Sequence, residues 1–190
     1  MHAIIREILD RAGLLAVLDA RAAGRVDLVR VPAATFDRTD LLALGALADL
    51  LRAREVGDTV TVTWGRPCDP AALVVRGEPG LALLRAAARA RILGPIGARI
   101  HVDVPTVGFE LAQVALAFGA DALVGPPVDR RGLPLADGTV RVKGEGPVSL
   151  ATMKEREIRR ILEAAGRVAV FERGADATDP TVLRQESHAV

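Results

Sequence analysis

The stretch Gly108-Phe-Glu-Leu-Ala-Gln-Val-Ala-Leu-Ala-Phe-Gly-Ala-Asp-Ala-Leu-Val-Gly125 constrains the fold more than any other part of the chain. Leu111, Val114, Ala115 and Phe118 fall at helical spacing, Gly119 is placed to stop the helix, and Asp121 then leads a short apolar run, Ala122–Val124. The order is helix, tight turn, buried strand. Only Glu110 and Gln113 interrupt the apolar surface, so the spacing predicts a helix covered on most sides, as one layer packed on a sheet. Packing accounts for these residues, because none is a nucleophile or part of a metal-ligand set.

The remaining segments alternate in the same way. Helical periodicity runs from about residue 2 to Ala23, with Gly13 dividing it into two helices. Arg25–Val31 alternates like a half-exposed strand and ends at Pro32. Thr39 is a candidate N-cap for a helix from Asp40 to Arg54, with Gly57 as its stop. Asp58-Thr-Val-Thr-Val-Thr-Trp64 gives the clearest strand signal, strictly alternating and β-branched. Ala72–Val75 is a further strand candidate, and Glu78-Pro79 opens a helix through Ile92. Arg99–Val104 is a strand, and Pro105-Thr106 is a connection. Asp137-Gly138 is a hairpin signal within Leu133–Val142. Thr152-Met-Lys-Glu155 can form a capping box for a final helix ending at Gly166, and Val168–Phe171 is a last strand. About six strands in 190 residues fall short of an eight-unit barrel, which takes about 250 residues. The expected fold is therefore α/β, an open parallel or mixed sheet covered by helices. It forms a single domain over 1–173, with a helical region at 1–23 and a flexible polar tail at 174–190.

Composition narrows the function classes. A formal net charge of +1 gives no electrostatic case for nucleic acid, and four Phe, one Trp and no Tyr leave little for stacking bases. The one cysteine, Cys68, excludes a disulfide within the chain and a zinc site made only of its cysteines. No leader pattern opens the chain, and no uncharged apolar run reaches about 18 residues, so a cytoplasmic protein with no membrane partner is expected.

Three segments carry a family resemblance, in order and over about half of the chain. Thr39–Arg54, Gly108–Asp121 and Ile158–Arg173 resemble parts of the radical-SAM enzymes of the futalosine route to menaquinone, the aminofutalosine synthase and dehypoxanthine futalosine cyclase family. These parts are the helix before the first barrel strand, a late-barrel segment, and the last helix with its closing strand. The resemblance implies a barrel-derived fold and a link to menaquinone synthesis. The family holds a [4Fe–4S] cluster on C-x3-C-x2-C in the loop after the first strand, three thiolates leaving one iron open for S-adenosylmethionine. Cys68 stands in that loop, but Ala72 and Val75 occupy the positions of its partners. The segment between the first strand and Ala98 is only about 34 residues, far shorter than in the family. Cluster chemistry is therefore not expected, and the barrel is expected to survive only as a partial remnant.

The candidate site follows from the sheet type. Open α/β sheets bind ligands beyond the C-terminal ends of their strands. That edge gathers Cys68, Asp69, Asp103, Thr106, Asp129, Arg130 and Arg131, all in or beside loops that follow strands. His101 and Asp103 alternate on one strand and share a face, but no second histidine is near enough to complete a metal set. No nucleophile elbow, phosphate loop or dinucleotide fingerprint occurs, and Lys143-Gly-Glu-Gly146 does not stand at a strand-to-helix turn. The leading expectation is a non-catalytic homologue, without cofactor, that binds a small molecule or a partner protein such as a full-length relative. An enzyme with metal-independent, non-radical chemistry at the same edge, or a structural protein, are the alternatives. A homodimer is expected, because a shortened barrel leaves strand edges and sheet faces uncovered.

Overall fold

The computed structural model describes residues 3–24, 33–65, 71–75, 80–126, 135 and 138–174. Gly13 divides the first helical segment into α1 (Ala3–Arg11) and α2 (Leu15–Ala22), followed by the short α3 (Ala33–Arg38). In α4 (Leu41–Glu55) the cap is Asp40 and not Thr39: its Oδ1 accepts from the Ala43 N–H at 2.9 Å. Then come β1 (Thr59–Trp64), β2 (Leu73–Val75), α5 (Leu81–Leu93) and β3 (Ile100–Asp103). Pro105 and Thr106, expected as a plain connection, belong to a one-turn helix, α6 (Val104–Val107). Next are α7 (Phe109–Ala115), a 3-10 turn (Leu116–Phe118) and β4 (Ala122–Val124). A hairpin of β5 (Thr139–Val142) and β6 (Gly146–Ser149) leads into α8 (Leu150–Ala164) and β7 (Val168–Arg173).

Five strands form a parallel sheet in the order β2-β3-β4-β1-β7. It is an α/β sheet whose edge strands, among the described residues, are β2 and β7, and its order is not the sequential one of a closed barrel. The threonine-valine alternation of β1 places it in the interior of the sheet, between β4 and β7. Its valines, Val60 and Val62, face the helices, and Thr61 and Thr63 face the far side, yet all four are buried.

Register sorts the two faces. Val62 stands beside Leu123 and Phe171, Leu123 beside Val102, and Val102 beside Val75. The next rung, on the far side, is Val74, His101, Ala122, Thr61 and Val170. The main core joins Leu9, Leu18, Phe36, Leu47, Leu83, Ile92, Ala115 and Leu162 from the helices to strand residues of the first face alone. Ala122 and Val124 are buried on the far side and lie outside that cluster. Each fully buried leucine in the core contributes about 1.5–3 kcal/mol.

Several expectations are corrected. The helix at Phe109–Ala115 is covered on one side only: Ala112, Ala115, Leu116 and Phe118 are buried, whereas Val114 is 47% exposed. The inward face is made of alanines because the helix sits close to its neighbours; Gly119, at φ 92°, comes so near that an added Cβ would meet the Arg91 Cβ at 2.7 Å. A hairpin turn lies at Lys143–Glu145, between β5 and β6, and the turn expected at Asp137-Gly138 rests partly on residues outside those described. The cap of α8 is Ser149, whose Oγ accepts from the Thr152 N–H at 3.0 Å, so Thr152-Met-Lys-Glu155 is already inside the helix. The strand expected at Arg25–Val31 and the tail beyond Gly174 lie outside the described residues.

The N-terminal edge of the sheet is held by buried charge. Asp121 Oδ1 accepts from the Ile100 N–H at 2.6 Å and from Arg91 at 3.0 Å, and Arg99 Nε lies 2.6 Å from its Oδ2. Arg91 also donates to the carbonyls of Gly119 and Ala98 at 3.0 and 2.7 Å. Arg21 grips Glu55 at 2.7 and 2.9 Å and the Gly94 carbonyl at 2.6 Å. Burial pushes the Arg91 guanidinium below its ordinary range, and the carboxylates of Asp121 and Glu55 oppose that shift. Five elements, α2, α4, α5, β3 and β4, are thereby tied at one end of the sheet.

Candidate functional site

At the C-terminal edge, β4 and β1 end side by side: the Gly125 N–H donates to the Thr63 carbonyl at 3.1 Å, and the Gly65 N–H to the Gly125 carbonyl at 3.3 Å. Gly125 has φ 125°, and a Cβ there would fall 2.3 Å from Pro105 Cδ, so only glycine lets β4 end against α6. Asp103 closes β3, and the Thr106 hydroxyl donates to its Oδ2 at 2.9 Å. These two expected site residues are brought together, about a turn apart across the strand-to-helix junction. Cys68, Asp69, Asp129, Arg130 and Arg131 lie outside the described residues. His101 shares the far face with Asp103 and is buried mid-sheet, one rung below the edge.

Beside this junction, on the helix side, lies a shallow apolar cleft. Val62 and Trp64 of β1, Leu123 and Val124 of β4, Phe109 of α7, and Lys154 and Ile158 of α8 line it, with Gly125 and Pro126 at its rim. Its empty space, mouth included, is about 300 Å³, and its enclosed part has room for about one water. Among the described residues Lys154 is the one charged lining residue. Its ammonium stands 5.4 Å above the Phe109 ring and 3.0 Å from Glu157, and the side chain is only 11% exposed. Trp64 is held rigidly: its indole N–H donates to Glu155 Oε1 at 2.8 Å, and its ring lies 6.1 Å from that of Phe171.

No family model, curated protein or solved structure matches the chain. The site is therefore defined by its own geometry. Among the described residues no group of three or more His, Cys, Asp or Glu is placed to hold a metal ion, and no helix is long and apolar enough to cross a membrane.

Sequence reasoning placed Asp103 and Thr106 at the C-terminal edge of the sheet, where they stand in the structure, and did not single out the cleft. Two signals were present. Lys154 and Ile158 are four apart, so they share a helix face, and Trp64, the one tryptophan in the chain, closes the strongest strand.

Proposed function

We propose that the chain is a non-catalytic binding protein that takes a small molecule at the C-terminal edge of its sheet. The observation that carries this is the apolar cleft whose one charge among the described residues is the Lys154 ammonium, at the edge where open α/β sheets bind ligands. A rigid aromatic wall and one charge can orient a ligand, and the cleft's described lining supplies no nucleophile paired with a base, as covalent or acid-base turnover would require. The three ordered segments that resemble futalosine-route radical-SAM enzymes support descent from that family, with a link to menaquinone synthesis. One cysteine where three are needed supports loss of the cluster and its radical chemistry. A full-length relative is the proposed protein partner.

Thermal unfolding against a panel of organic acids, nucleosides and quinones tests the binding reading. A ligand at about 100 times its Kd stabilises the native state by about 2.7 kcal/mol. For a chain of this size that raises Tm by about 5–11 °C. A panel that leaves Tm unchanged at millimolar concentration refutes it. A second reading, an enzyme at the same edge, is favoured by one contact, the 2.9 Å hydrogen bond between Thr106 and Asp103. Turnover of a panel compound that is abolished by Asp103→Asn with folding intact would replace the first reading with the second.

A further inference from the structure

The cleft's charge and shape specify a ligand class, and this step rests on the binding reading above. We infer that the Trp64–Phe109–Lys154 cleft takes a small monocarboxylate with a flat or short apolar body. The body is set by the walls: Val62, Leu123 and Ile158 form an apolar floor, and Trp64 and Phe109 supply two rings. Trp64 cannot turn its N–H toward the ligand, because Glu155 already accepts it at 2.8 Å. It therefore presents ring surface to an apolar group.

The head is set by Lys154. One ammonium balances one negative charge. A phosphate carries close to two, and it is ordinarily met by arginine forks or a row of backbone N–H groups. Among the described residues the cleft lining offers no arginine, and its rim residue Pro126 has no N–H to donate.

Lys154 also acts as the cover. Its stem lies along the cleft and its ammonium over Phe109, so the ligand's place is filled by the lysine itself. Its partner Glu157 is 41% exposed, so the ammonium can swing toward solvent without leaving a carboxylate buried and unpaired. When the side chain swings outward, the Phe109 face is freed for an apolar body and the ammonium meets a carboxylate at the mouth. The ligand then replaces one cation–π contact and one loose ion pair with ring stacking and a charge-assisted hydrogen bond.

Trp64 makes the test direct, since its fluorescence is the only indole signal in the chain. The probes are phenylacetate and its neutral isostere phenylacetamide, titrated into the full chain. Phenylacetate is expected to change Trp64 emission saturably and to bind about tenfold or more tightly than the amide. In Lys154→Met that preference is expected to vanish, with the acid falling to the affinity of the amide. Lys154→Arg is expected to restore it in part, and far-ultraviolet circular dichroism checks that both variants are folded. Equal binding of acid and amide by the native protein overturns the carboxylate assignment and leaves the cleft as a binding site. A preference that survives in folded Lys154→Met assigns the charge to another residue and overturns the role of Lys154. No saturable response to either probe overturns the inference, while the broader panel still decides whether the protein binds small molecules at all.

Discussion

Asp121→Ala is the sharpest perturbation of this fold. The carboxylate is fully buried and meets three partners: the Ile100 N–H at 2.6 Å, Arg91 at 3.0 Å and Arg99 at 2.6 Å. Removing it leaves the guanidinium of Arg91, also fully buried, with Glu55 at 3.6 Å as its nearest counter-charge. Breaking one side of a buried ion pair costs about 3–5 kcal/mol. Domains of this kind are stable by only about 5–15 kcal/mol. At about 2–4 °C per kcal/mol, Tm should fall by about 6–20 °C. Urea melts with an unchanged m-value give the free energy directly. Glu7→Gln is the control, because Glu7 and Arg11 form an exposed i,i+4 pair, which is worth about 0.3–0.5 kcal/mol. The double variant Asp121→Leu with Arg91→Met should recover part of the loss by removing the unpaired charge, but not all of it, since the Gly119 and Ala98 carbonyls lose their donor. If Asp121→Ala costs no more than Glu7→Gln, the network does not hold the N-terminal edge and the reasoning fails.

Val114→Asp should change stability by less than about 1 kcal/mol, because Val114 faces water, whereas Ala112→Asp buries an unpaired charge and should unfold the protein; paired thermal melts decide between them. The hydrogen bond to Arg156 holds the Glu145 carboxyl below its ordinary range, so its contribution is present above the unfolded-state pKa and is lost as pH falls through the folded one. Hydrogen exchange should show the β5–β6 hairpin loosening in acid before the main sheet does, and equal protection across that range would refute the link. The proposed homodimer should scatter light as twice the 20.0 kDa chain mass at micromolar concentration, and a monomer mass would remove it.

The elements of this fold were legible where one residue type does one job. Gly13, Gly57 and Gly119 stop helices at the positions their sequence context predicts, and the threonine-valine alternation of β1 marks an interior strand. Errors arose where two residues compete for the same role. Thr39 and Asp40 are both good caps, as are Ser149 and Thr152, and which one leaves the helix is settled by the path of the chain before it. Val114 misled because hydrophobicity and inwardness separate when helices pack closely: the alanines go inside and the larger valine stays out. The buried charges could not be paired from sequence, since Arg21 and Glu55 are 34 residues apart and Arg91 and Asp121 are 30 apart. The cleft was hidden for the same reason: Trp64 and Glu155 meet across 91 residues.

The described edge strand β7 bears on how a second copy would dock. Thr61, Thr63, His101, Ala122 and Val124 of the far face are buried, and among the described strands that face is least protected at β7, where Val168 is 58% and Val170 40% exposed. Joining β7 to a second β7 strand to strand would use its outward carbonyls. One of these, that of Ala169, already accepts from Arg159 of α8 at 3.1 Å, and the same guanidinium lies 5.0 Å over Phe171. A neighbouring strand would have to break both contacts, which is how a charged side chain blunts an edge against pairing. The exposed valines have no such guard. A symmetric pair would therefore pack face to face through Val168 and Val170 and leave the strand edge with Arg159. The cleft at Trp64 opens on the opposite, helix-covered face, so docking there would not close it.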